Sequence, residues 1–153
     1  MPKLDPDALK AAAHRDADEL GAFERITLGD PGGLTQFGVA IETLMPGARS
    51  SNRHWHLRED EFLLMLDGAA VLVEETGESA IGPGDAVCWP AGAANGHMVV
   101  NRSDAPCRFL IVGTRATDDI CTYPDLGQTL YNEGPNWRLV DDATGAIIRQ
   151  GTR

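Results

Sequence analysis

Between Leu34 and Thr114 every apolar stretch is short, and a turn signal closes almost every one. Pro46-Gly47 ends the first, Asp67-Gly68 and Thr76-Gly77 break the middle, and Gly82-Pro83-Gly84-Asp85 follows. Asp-Gly between apolar runs is a strong hairpin signal, because both residues accept the positive φ of a two-residue turn. Pro followed by Gly suits the two central positions of a type II turn. The segments left between these breaks are Leu34–Met45, Arg53–Leu57, Glu61–Leu66, Ala69–Glu74, Ser79–Ile81, Ala86–Trp89, Gly96–Asn101 and Cys107–Thr114. Strands this short and evenly spaced predict an all-β fold, an antiparallel sandwich or jelly-roll barrel.

Side-chain alternation sharpens this picture. In Leu34–Met45 the residues Phe37, Val39 and Ile41 are apolar while Gln36 and Glu42 are polar, the period-2 pattern of a half-buried strand. Phe62–Leu66 is apolar on both faces, with Leu63 and Met65 on the Glu61 side and Phe62, Leu64 and Leu66 on the other. Such a strand must be covered on both sides. One face can line a barrel; the other needs a second sheet, the N-terminal residues or another subunit, and a homodimer is the expected assembly.

The chain divides into an N-terminal arm over residues 1–31, a barrel core over 32–114 and a C-terminal extension over 115–153 that packs on the barrel or on a partner subunit. Asp7 can cap a short helix over roughly 8–20, and His14 within it reads as an exposed surface histidine. Beyond Thr114, Asp118 to Asp125 reads as an extended crossing segment, and Trp137–Val140 can pair with Ala146–Arg149 as a late hairpin.

Thirteen basic against twenty-three acidic residues give a formal charge of −10. Such a surface repels phosphate backbones and anionic lipids, so neither nucleic acid nor membrane is an expected partner. No run of 18 apolar residues is present. The N-terminus lacks the apolar centre of a signal peptide. Three cysteines, Cys88, Cys107 and Cys121, form no C-x-x-C pair. Cys88 and Cys107 lie in apolar runs, where a cysteine is expected to be a small buried hydrophobe. These features predict a reduced, cytoplasmic protein.

The chemistry is concentrated in three of the four histidines. On a strand, residues two apart share a face, so His54 and His56 project together with Trp55 opposite. Glu61 opens the next strand after a short loop and can sit across from the pair, and His97 joins them if its strand lies alongside. Three imidazoles and one carboxylate suit one divalent metal ion: Zn, Fe, Ni, Mn, Co or Cu. No thiolate belongs to the set, which argues against a closed structural zinc site. Glu59 and Asp60 are competing carboxylates, both expected exposed in the loop. Leu63, Met65 and Val99 share faces with the ligands as apolar walls, Trp89 can roof the pocket or fill the core, and Asn101 reads as structural. Arg49 and Arg53 are candidates to meet an anionic substrate at the mouth.

Gly47–Gly68, read as G-x6-H-x-H-x4-E-x6-G, resembles the first motif of the cupin superfamily, and Gly84–Asn101, read as G-x5-P-x-G-x4-H-x3-N, resembles the second. Two departures stand out: one extra residue ahead of His54 and two between Gly92 and His97. Both fall in loops before a ligand, so they alter the pocket mouth rather than the ligand identities. Pro90-Ala91-Gly92, Gly96-His97, Asn101-Arg102-Ser103 and Tyr123-Pro124-Asp125 resemble small bacterial single-domain cupins of unassigned activity. The resemblance spans about residues 32–125. It implies a double-stranded β-helix with a metal at His54, His56, Glu61 and His97, and isomerase, lyase, decarboxylase or Fe-type oxygenase chemistry on a small metabolite.

The four ligands leave one or two metal positions open, an arrangement for catalysis. No histidine remains inside the barrel as an acid/base, so Tyr123, a carboxylate or a metal-held hydroxide would serve, which leans towards metal-centred chemistry. The apolar walls suggest a small, weakly polar substrate. The alternative is a non-catalytic cupin that binds or senses a small ligand.

Overall fold

The structure, a computed structural model, describes residues 3–152. A single short helix, α1 (Pro6–Ala11), precedes fourteen strands among the described residues: β1 (His14–Asp18), β2 (Gly21–Thr27), β3 (Phe37–Leu44), β4 (Trp55–His56), β5 (Glu61–Asp67), β6 (Ala70–Glu74), β7 (Gly77–Ile81), β8 (Ala86–Trp89), β9 (Met98–Val100), β10 (Cys107–Thr114), β11 (Asp118–Tyr123), β12 (Gln128–Glu133), β13 (Asn136–Asp141) and β14 (Ile147–Thr152). All pairings are antiparallel. The six-stranded sheet runs β1-β2-β3-β10-β5-β8, a five-stranded sheet runs β14-β13-β12-β11-β4, and a three-stranded sheet runs β7-β6-β9. Isolated bridges between Arg49 and Val100 and between His54 and His97 tie the lead-in of β4 to β9.

The core lies between the six- and three-stranded sheets. Leu44, Leu63, Met65 and Phe109 come from the large sheet, and Ala70, Leu72, Ile81 and Val99 from the small one. The turns behave as their residues predict. Gly84 has φ +92°, and Asp85 N–H donates to the Gly82 carbonyl at 3.0 Å, closing the expected turn. Gly68 has φ +76°, and a Cβ there would lie 2.6 Å from the Pro106 carbonyl oxygen. Both its backbone conformation and the close approach of the neighbouring chain require glycine.

Several expectations need correcting. The helix stops at Ala11 instead of running over 8–20, and its N-cap is Asp5, whose carboxylate accepts from Asp7 N–H, with Pro6 opening the first turn. His14 then begins β1, a wholly exposed strand held by its ladder to β2. Cross-strand pairing has overridden the helix propensity of an alanine-rich stretch too short to sustain itself. On β3 the buried side is not the apolar one. Gly38, Ala40, Glu42 and Leu44 face inward, with Ala40 and Leu44 fully buried, while Phe37 is 40% exposed. Cys107 and Cys121 are buried, but Cys88 is exposed on β8, at the edge of the large sheet. Strands β2 and β12 carry no recognised signal in the sequence, whereas the extended segment from Asp118 forms β11 and the hairpin of β13 and β14 forms as expected. Among the described residues no helix is long and apolar enough to cross a membrane.

Candidate metal centre

The ligand-type side chains come from separate elements. His54 immediately precedes β4 and His56 ends it; Glu61 opens β5; His97 lies just ahead of β9. The His54–His97 bridge joins the two backbones directly, with His97 N–H donating to the His54 carbonyl at 2.9 Å. The histidine ring centroids of that pair are 5.1 Å apart, as are those of His54 and His56. Single donor atoms of His54, Glu61 and His97 lie within 4.8 Å of one another. His97 Nε2 is 2.8 Å from Glu61 Oε2, and His56 Nε2 is 3.9 Å from the same oxygen. The structure therefore gathers all four residues singled out in the sequence around Glu61.

Each imidazole is oriented by its other nitrogen. His54 Nδ1 faces the Asn52 carbonyl at 2.9 Å, His97 Nδ1 the Asn95 carbonyl at 3.0 Å, and His56 Nδ1 the Asp119 carboxylate at 2.6 Å. With Nδ1–H donating outward, each Nε2 is left facing the cluster, where loss of its proton exposes the lone pair. That is the tautomer a metal ligand requires, and outer partners of this kind fix it. The donor set thus fits a divalent first-row metal by both chemistry and orientation.

Electrostatics follow from burial and crowding. Burial depresses the His54 pKa. At His56 burial acts in the same direction, but Cys121, Asp119 and Glu61 outweigh it and raise the value to about 10. Burial alone would raise Glu61, yet the hydrogen bond from His97 and the nearby His56 and His54 hold it below the ordinary carboxylate range. The Glu61 carboxylate thus stays ionised beside the imidazoles, and a metal binding here must displace the His56 proton.

A cavity of 370 Å³ opens against this cluster, and His54, Glu61 and His97 line it. Gly38 and Gly113, which pair across β3 and β10, carry no side chain, and Gly113 also faces Glu61 on β5. Their missing side chains leave the floor open. Leu63 and Val99 are walls, as predicted, while Met65 belongs to the core. Trp89 is both wall and core: it is buried, stacks on His97 with centroids 4.0 Å apart, and donates Nε1–H to Glu74. Asn101 is structural, fully buried, and donates to the Leu44 and Ala105 carbonyls.

Other residues depart from expectation. Asp60 is exposed as anticipated, but Glu59 is half-buried, lines the cavity, and sits 3.7 Å from His56 Nδ1. Burial raises its pKa. Its side chain accepts from Ala116 N–H, which pulls the loop inward. Arg53 is held by Asp125 and Glu75, and Arg49 contacts Asn52. The arginines lining the cavity are instead Arg25 and Arg115, joined by Glu42, so the cavity is more polar than its apolar walls suggested. Cys121 also places a donor atom within 4.8 Å of His54 and His56, so a thiol does adjoin the ligand set. Asp119 and Cys121 reach the site because β11 pairs with β4, setting Cys121 opposite His56. Strand parity puts Asp119 and Cys121 on one face of β11, but nothing in the local sequence shows that β11 meets β4.

A family model described as a cupin domain matches residues 40–113. A search of curated proteins finds no match to the chain. Among solved structures, a sugar phosphate isomerase from a cupin superfamily, from Silicibacter pomeroyi, is 38% identical, with 94% of this chain and 95% of that chain covered and a TM-score of 0.83. A candidate sugar phosphate isomerase from Acidithiobacillus ferrooxidans is 28% identical, with 96% of each chain covered and a TM-score of 0.85. The polyketide cyclase RemF from Streptomyces resistomycificus, 22% identical with a TM-score of 0.57 over 74% of this chain and 79% of that chain, shares the fold alone. With both sequence motifs in place, the same strand architecture and near-complete coverage of a 38% identical relative, this chain belongs to the cupin superfamily.

Proposed function

We propose that this protein is a metal-dependent cupin enzyme that interconverts the aldose and ketose forms of a small phosphorylated sugar, with His54, His56, Glu61 and His97 holding one divalent ion. The observation that carries the reading is the convergence of His54, His56 and His97 on Glu61, with every Nδ1 tied back to a fixed acceptor. When bound, a divalent metal supplies Lewis-acid polarisation of a carbonyl or hydroxyl oxygen. The likeness to a sugar phosphate isomerase over nearly the whole chain supports the substrate class. The cavity supports it too: Arg25 and Arg115, ion-paired to Glu42 and Asp30, place two guanidinium groups in a wall of mixed apolar and acidic residues, where their remaining N–H groups can meet a phosphoryl group.

The test is to load the protein in turn with Mn, Fe(II), Co, Ni and Zn and offer it three-, five- and six-carbon aldose phosphates. Ketose phosphate should form with at least one metal and disappear in His97→Ala. Tight binding of the sugar phosphates without interconversion under every metal would instead favour a binding or sensing cupin.

We further propose a homodimer built on the outer face of the six-stranded sheet. Val39, Ile41, Phe62, Leu64, Leu110 and Val112 form a continuous apolar patch across β3, β10 and β5 that stays partly exposed in the single chain. A second copy offers the same patch about a two-fold axis without placing charge against charge. Three unpaired cysteines support a reducing, cytoplasmic setting.

A further inference from the structure

We propose that Glu42 is the group that carries the proton in this cavity, taking it from the carbon beside the substrate carbonyl and returning it to the adjacent carbon. The inference rests on the isomerase reading above and assigns that reaction a residue outside the metal centre.

Glu42 occupies a position that stability does not explain. It projects from the inner face of β3, where its neighbours two residues away are Ala40 and Leu44 and its cross-strand partners are Phe109 and Arg25. Its side chain is only 12% exposed, against 48% for Arg25, whose Nη1 meets Oε1 at 2.6 Å. A buried carboxylate paired with a half-solvated arginine regains little of its desolvation cost, and an apolar residue there would serve the fold at least as well. Oε2 has no partner among the described residues, which leaves it free within the cavity that His54, Glu61 and His97 also line.

The other cavity carboxylates are engaged. Glu61 accepts from His97, and Glu59 lies against His56 while accepting from Ala116 N–H. Burial raises the Glu42 pKa despite Arg25, with Glu61 adding to the rise. That brings the carboxyl closer to the range in which a base both takes and gives up a proton near neutral pH. Arg25 fixes the orientation of the carboxylate and so acts as a positioning residue.

The reaction balances without a further reactant. The C2–H bond breaks and its proton goes to Glu42 Oε2. The C–H electron pair forms C1=C2 while the C1=O1 π pair moves onto O1. The O2–H bond then breaks, C2=O2 forms, and that proton passes to O1. The C1=C2 pair takes the proton back from Glu42 to make C1–H. One C–H and one O–H bond have moved, and the Glu42 carboxylate is restored.

The experiment compares wild type, Glu42→Gln and Glu42→Asp as metal-loaded full chains in D2O. NMR follows deuterium entering C1 or C2 of glyceraldehyde 3-phosphate, ribose 5-phosphate and glucose 6-phosphate and their ketose partners. Metal content, sugar phosphate binding by calorimetry and thermal midpoint are measured on the same samples, the midpoint also after chelation. The expected result is exchange reduced by about 10²–10⁴-fold in Glu42→Gln. Glu42→Asp, which keeps the charge but withdraws it by one methylene, should retain partial exchange. Metal content and binding should be unchanged, and the midpoint equal to or above wild type. Exchange at the wild-type rate in Glu42→Gln overturns the assignment to Glu42 and leaves the isomerase reading intact. A lowered midpoint with undiminished exchange marks Glu42 as a structural ion-pair partner and also overturns it. Absence of both interconversion and exchange in wild type on every probe overturns the isomerase reading and this inference together, whereas interconversion without exchange overturns the assignment to Glu42 alone.

Discussion

His56 Nδ1 and Asp119 Oδ2 lie 2.6 Å apart across the β4–β11 ladder, 63 positions apart in sequence. Asp119 is itself almost fully buried, and its second oxygen accepts from Arg58 N–H at 2.9 Å. A carboxylate so placed holds the His56 proton on Nδ1 and presents Nε2 to Glu61. Asp119→Ala should therefore weaken metal affinity by about 10–100-fold, as loss of an outer-sphere partner does elsewhere. Competition against a coloured chelator measures this; an unchanged affinity would show that Asp119 does not orient the ligand.

Trp89 and His97 are stacked at an interplanar angle of 10° with centroids 4.0 Å apart. An indole lying on a ligand imidazole should sense the ion directly. Metal titration is expected to change tryptophan emission in wild type, and Trp89→Phe should abolish most of that change while leaving Trp55 and Trp137 in place. Trp89→Ala should also cost about 3–5 kcal/mol of stability, because the ring is buried in the core. Fluorescence titration and urea denaturation check the two outcomes separately.

The raised pKa of Glu42 has a signature in pH-dependent stability. A carboxyl whose pKa is higher in the fold than in the unfolded chain favours the fold when protonated. Its contribution is complete below the unfolded value of 4.5 and is lost as pH rises through the folded value. Wild type should therefore lose stability relative to Glu42→Gln on going from about pH 4 to about pH 8, with Arg25 and Glu61 as the charged groups facing the site. Thermal midpoints of both proteins across that interval decide it; a constant difference would mean that Glu42 titrates normally.

How much of this was legible in the sequence depended on the range of the interaction. His54, His56 and Glu61 were readable because strand parity and a short loop fix their faces locally, and Gly68 and Gly84 because their backbone angles exclude other residues. His97 needed only one long-range pairing. Asp119 and Cys121 were not readable as site residues, since their place depends wholly on β11 finding β4. Glu42 was misjudged for a different reason. Period-2 alternation shows that a strand has two faces but not which one is inward, and in β3 the small and polar face turns inward to line a cavity. The same ambiguity hid Arg25, whose strand had no clear apolar alternation. The exposed strand β1 shows the complementary failure, in which local propensity favoured helix and the ladder to β2 won.

Leu64 projects from the outer face of β5, between Leu110 of β10 and Ala86 of β8. If two copies associate through this face, wild type should sediment at about twice the 16.4 kDa chain mass, and Leu64→Glu at the mass of a single chain. Metal binding should survive the substitution, because Leu64 points away from the cavity. A monomeric wild type would leave the outer patch without its proposed partner.

The most direct test of the central claim is elemental analysis of protein purified without chelators and under anaerobic conditions, set beside His97→Ala and Glu61→Gln. About one first-row transition metal ion per wild-type chain is expected, and its loss in both variants with the β-sheet circular dichroism unchanged. A wild-type protein that neither carries nor takes up a stoichiometric metal, or variants that keep it at full occupancy, would contradict a centre built from His54, His56, Glu61 and His97.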